Sequence, residues 1–154
     1  MSLGGGGGGD SQLQELAQQL EALEQQREAL ETEVEALRAR QQAINEAIEA
    51  VEELETGSTV QVPLGGGAYA RAEIEDISEI VVDLGGDYAA ERDQEGAAST
   101  LESKKETIDE RVEDVQSEIA ELETESEELE QRAQQLQAQQ LQQMQQQQQS
   151  QPDE

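Results

Sequence analysis

The sequence predicts a mainly α protein: a long antiparallel two-helix coiled coil with two β-hairpins inserted between the helices. Three observations carry that expectation. Two long segments repeat aliphatic residues at alternating steps of three and four. The stretch between them alternates at period two and is punctuated by glycines. The 154 residues include no Phe or Trp and only two Tyr, too few aromatics for an ordinary compact core.

Residues 1–10 read as a flexible glycine-rich leader, because the run from Gly4 to Gly9 favours coil over helix. Residues 11–56 read as the first coiled-coil helix. Ser11 and Gln14 have the spacing of a capping box. Leu13, Leu16, Leu20, Leu23, Arg27, Leu30, Val34, Leu37, Gln41, Ile44, Ile48 and Val51 then form the seam. A 3.5-residue period sustained this long indicates a left-handed coiled coil rather than a broad globular face. Gly57 is the expected stop.

Residues 57–92 read as two successive β-hairpins. Val60 to Leu64 alternates, Gly65-Gly66-Gly67 turns, and Ala68 to Ile74 alternates again. Ile80 to Leu84 is rich in β-branched residues, and Gly85-Gly86-Asp87 turns it back toward Arg92. Pro63 requires an edge or an outward-facing position. Residues 93–143 read as the second helix, capped either by Asp93 or by Ser99 with Glu102. Its seam is Leu101, Lys105, Ile108, Val112, Val115, Ile119, Leu122, Ser126, Leu129, Ala133 and Leu136. Residues 144–154 read as a flexible Gln-rich tail, with Pro152 ending any helical tendency.

Folding back buries both seams within one chain. Val51 then falls near Ala98 or Leu101, and Leu13 near Leu136. Some forty residues per helix give an arm on the order of 60 Å. Two small hairpins bury little area and leave strand edges unpaired, so they are expected to pair with other subunits. Val60, Val62, Leu64, Ile74, Ile80, Val82 and Leu84 are the candidate assembly residues.

Composition narrows the function. With 37 acidic and 9 basic residues, a net charge of −28, the chain repels nucleic acid and anionic membranes. Such a charge burdens assembly unless salt screens it, which points to a salt-loving source. There is no Cys for disulfides or thiolate chemistry and no His for acid–base work. Gly65-Gly66-Gly67 lacks the Gly-Lys-Ser/Thr end of a phosphate loop, and pairs such as Glu52-Glu53 and Glu127-Glu128 read as solvated helix faces. No enzyme activity, cofactor or metal is expected. Neither an apolar span nor a secretory signal is visible, and the reading is cytoplasmic.

The insert Val60-Gln-Val-Pro-Leu-Gly-Gly-Gly-Ala-Tyr-Ala-Arg-Ala, with Val81-Val82-Asp83-Leu84-Gly85-Gly86-Asp87-Tyr88-Ala89-Ala90-Glu91, resembles the prefoldin family over about residues 11–140. Two hairpins rather than one resemble its alpha class. The resemblance implies a hexamer of two alpha and four beta subunits on a shared β-barrel platform. It also implies ATP-independent capture of unfolded proteins and their delivery to a group II chaperonin. The rival expectation is a structural coiled-coil spacer or scaffold without chaperone activity.

Holding would occur where the seam ends, since terminal turns lack neighbours and fray. Leu13, Leu16, Leu20, Leu23, Leu129, Leu136, Leu141 and Met144 are the candidate tip residues. Leu20, Leu23 and Leu129 also read as ordinary seam residues, whereas Leu13, Leu136, Leu141 and Met144 lean toward exposure.

Overall fold

A computed structural model of the chain describes residues 7–149. Helix α1 spans Gly7–Glu53. Strands β1 (Thr59–Gly65), β2 (Ala68–Glu73), β3 (Ile80–Gly85) and β4 (Tyr88–Arg92) follow, and α2 spans Gln94–Gln149. Each hairpin is its own two-stranded antiparallel sheet, β1–β2 and β3–β4. The chain divides into two units, Met1–Val34 with Asp114–Glu154 and Glu35–Glu113. Within each unit the two helices run antiparallel.

Most buried helix residues occupy heptad positions, and Ala97, ahead of the α2 seam, is buried as well. In the first unit Leu16 is buried and Val115 is fully enclosed, while Leu20, Leu23, Leu30, Ile119, Leu122 and Leu129 are half-buried. In the second unit Ile48, Ile108 and Val112 are buried. Two polar residues interrupt the α1 seam. Gln41 resolves its own interruption by donating its amide to the Asp109 carboxylate. Arg27 pairs along its own helix with Glu24 at 4.0 Å and Glu31 at 3.7 Å, half-exposed contacts of little energetic weight.

Both helices overrun their expected ends. Helix α1 starts at Gly7, not residue 11, so Gly7 to Gly9 are helical. Glycine costs a helix about 1 kcal/mol relative to alanine but does not forbid it. At Gly9 the missing β-carbon leaves room for Gln140, whose side chain lies where one would stand. Helix α2 continues through Gln149 rather than yielding at residue 144. Glutamine is a good helix former, and no Gly or Pro interrupts the sequence from Met144 up to Gln149. The rest of the expected leader and tail, residues 1–6 and 150–154, lies outside the described residues.

Helix α1 ends at Glu53, three residues before the expected boundary. Its orphan carbonyls are met from α2. Gln94 Nε2 donates to Val51 O at 2.6 Å and to Leu54 O at 2.9 Å. At the start of α2, Asp93 is the cap, its Oδ1 accepting the Gly96 N–H at 2.7 Å. Ser99 and Glu102 lie inside the helix instead. Gly96 suits this turn because a β-carbon there would crowd the same Asp93 oxygen.

The hairpins are built alike. Gly66-Gly67 and Gly86-Asp87 are the two-residue loops, all with positive φ, as type I′ turns require. Asp87 occupies this region at φ 66°, which Asp tolerates better than most residues. Pairing skips one residue before each turn, between Pro63 and Gly65 and between Asp83 and Gly85, leaving Leu64 and Leu84 as matching bulges. Val60, Val62, Leu64, Gly65, Gly66 and Ala70 recur as Ile80, Val82, Leu84, Gly85, Gly86 and Ala90. The insert is therefore one device written twice. The second copy is anchored further: Lys104 Nζ donates to Asp83 O at 2.7 Å.

Candidate functional surfaces

Exposed apolar side chains gather in two stretches of sequence. Val62, Leu64, Tyr69, Val81, Leu84 and Tyr88 lie on the hairpins, and Leu141 and Met144 lie near the C-terminal end of α2.

On the hairpins the seven expected assembly residues separate into two groups. Val82 is 5% exposed, and Val60, Ile74 and Ile80 are half-buried, so these pack within the chain. Val62, Leu64 and Leu84 are exposed at 43%, 68% and 47% and remain available. Three further exposed residues escaped sequence reasoning: Tyr69, Val81 and Tyr88. The available signal was that the only two aromatics of the chain lie one per hairpin. Tyr69 pairs with Pro63, and Val81 with Glu91, on the faces opposite Val62 and Val82. Each hairpin thus shows apolar groups on both faces beside strand edges that its own sheet leaves unpaired.

Between the hairpins, Thr56 Oγ1 accepts the Ile77 N–H at 3.1 Å, holding the connecting loop. Asp76 accepts the Ser78 hydroxyl at 2.6 Å and the Ser78 N–H at 3.0 Å. These bonds favour the ionised carboxylate and hold its pKa below the ordinary aspartate range.

In the first unit the eight expected tip residues also divide. Leu16 is buried at 6%, and Leu13, Leu20, Leu23, Leu129 and Leu136 are half-buried along the seam. Their exposure would need the helix pair to open. Leu141 and Met144 are already exposed, at 61% and 60%. Gln140 lies against Gly9, close to the start of α1 at Gly7. Among the described residues α2 continues past the point opposite Gly7, and Met144 lies beyond it.

Among the described residues no polar or charged residue is buried as a whole, although Nε of the half-buried Arg27 is, and no group of three or more acidic residues is placed to hold a metal ion. No described helix is long and apolar enough to cross a membrane.

Comparison with known proteins agrees with this architecture. The family model for prefoldin subunits matches residues 23–139. Prefoldin subunit alpha of Halobacterium salinarum is 67% identical over 112 residues, covering 73% of this chain and 71% of that protein. Prefoldin subunit alpha of Haloarcula marismortui is 63% identical over 101 residues, 66% of either chain. The chain thus spans about two thirds of the length of these curated relatives. A cryo-EM structure of filamentous PFD from Methanocaldococcus jannaschii matches with a TM-score of 0.65 at 26% identity, covering 73% of this chain and 96% of the other. Paired helices, a doubled hairpin insert and this extent of sequence identity lead to one conclusion: the chain belongs to the prefoldin family.

Proposed function

We propose that the chain is a non-enzymatic, ATP-independent chaperone subunit of the cytoplasm, which holds unfolded polypeptides at the ends of its helix pair. Its hairpins join it to beta subunits in an assembly of two alpha and four beta chains. The held client then passes to a group II chaperonin.

One observation carries this reading: among the described residues every exposed large apolar side chain lies either on the hairpins or toward the end of α2, and none along the seam between. Assembly needs the first group and capture needs the second. Leu141 and Met144 are unbranched at Cβ and adapt to irregular apolar partners, Met most of all. Each contact is weak, and several arms around one client multiply it through local concentration.

A spacer without chaperone activity is the second reading, favoured by the burial of Leu16 and the half-burial of Leu13 and Leu136 in the seam. Light scattering of an unfolding client separates the two. The assembled complex is expected to keep the client soluble at near-stoichiometric amounts without nucleotide. Precipitation at the rate seen without the complex would leave the spacer reading.

A further inference from the structure

The first unit carries a feature that the terminal capture surface does not use. Gln26, Ala29 and Leu30 of α1 and Glu118, Glu121, Leu122 and Glu125 of α2 line an open groove of about 440 Å³. Its floor is apolar, made by Ala29 and the half-buried Leu30 and Leu122. Its α2 wall is acidic, because Glu118, Glu121 and Glu125 recur at steps of three and four and so share one helix face.

Among the described residues no cation neutralises that wall. No Lys or Arg occurs in α2 between Arg111 and Arg132. The nearest cation on the α1 side of the groove, Arg27, is paired with Glu24 and Glu31 of its own helix. Among the described residues no ion pair reaches Glu118, Glu121 or Glu125. The acidic strip extends beyond the groove, where Glu121 and Glu125 also flank a shallow depression with Ala120, Thr124 and Glu128.

We propose that this groove is a second client subsite, selective for cationic amphipathic segments in which an aliphatic side chain is flanked by Lys or Arg. The inference rests on the chaperone reading above. The aliphatic side chain seats between Leu30 and Leu122, and the flanking cations meet the glutamates. Charge complementarity decides the occupant. An acidic or purely aliphatic segment would leave three carboxylates unanswered, whereas a basic one gains charge-assisted bonds at the rim. In concentrated salt, where the Debye length falls to roughly 3 Å, exposed pairs at the rim weaken, so the charge preference is strongest at lower salt.

The test uses the full chain in its native assembly and a fluorescein-labelled peptide of Leu, Ala and Lys, with Leu at three–four spacing and Lys flanking each Leu. Fluorescence anisotropy is measured at 0.5 M and at 2 M KCl. E118Q/E121Q/E125Q is expected to weaken binding about tenfold at the lower salt, the combined scale of three exposed ion pairs, and less at the higher. Glutamine keeps helix propensity and relieves repulsion, so the variant folds, as circular dichroism would verify. A29R, which supplies a cation from within, is expected to weaken binding similarly. Peptides with Glu for Lys, or Ser for Leu, are expected to bind at least tenfold more weakly than the parent. Unchanged binding in both variants, or equal binding of the control peptides, overturns the subsite. So does a change in assembly mass in place of peptide binding, which would give the groove to a second copy of the chain. Failure of the unmodified complex to hold any client would instead strike the chaperone reading, so the two failures are told apart.

Discussion

Gln94 in the first turn of α2 donates its side-chain amide to the carbonyl of Val51 in the last turn of α1, at 2.6 Å. The same amide reaches Leu54 O at 2.9 Å. One side chain therefore closes the end of one helix from the start of the other, with both hairpins looped out between them. Gln94→Ala is expected to cost about 1–2 kcal/mol, the loss of hydrogen bonds to partly buried carbonyls. Chemical denaturation of the assembled protein would show it as a lower midpoint with unchanged slope.

The bulged leucines should govern assembly. L64D/L84D introduces charge at two exposed positions that make no seam contact. Helicity is expected to persist while light scattering reports smaller species. Full-sized assemblies from this variant would remove the hairpins from the interface.

Capture should depend on the end of α2. L141S/M144S is expected to leave assembly mass unchanged and to raise severalfold the amount of complex needed to suppress client aggregation. L20S/L23S should instead lower thermal stability, because these side chains are half-buried in the seam.

Acid should release the loop at Asp76. Its pKa is lowered by the bonds from Ser78, so the stability it contributes is complete above the ordinary value of 3.8 and is lost as pH falls through the lower folded value. Protection of the Ser78 amide in hydrogen exchange is expected to persist at pH 4 and to vanish in stronger acid. In Asp76→Asn it should be weaker at every pH.

Salt should stabilise the fold. With a net charge of −28, helicity and assembly are expected to rise as KCl is increased from 0.1 M toward 2 M. Full assembly at the lowest salt would contradict this.

The helix pairing was legible in the sequence because a heptad seam encodes its own register. Leu13 was expected near Leu136, and the contact of Gly9 with Gln140 follows that register within the first unit. The hairpins were legible from their glycine turns. Helix ends were not, since Gly7 to Gly9 are helical against glycine's local propensity, with Gln140 lying against Gly9 from far along the sequence. The cap on α1 was hidden for the same reason: Gln94 lies 43 residues from Val51. On the hairpins, alternation identified which residues share a face but not which face the chain covers. Val62 and Val82 occupy equivalent positions, yet one is exposed and the other buried.

Duplication of the hairpin has a consequence for valence. A subunit with a single adhesive edge terminates a row of neighbours, whereas one with two can stand between them and extend it. Under the assembly role proposed above, Leu64 and Leu84, set in matching bulges, would give this chain the second kind of architecture. The final size of any complex it enters is then decided by its companions, through how many such edges each of them brings.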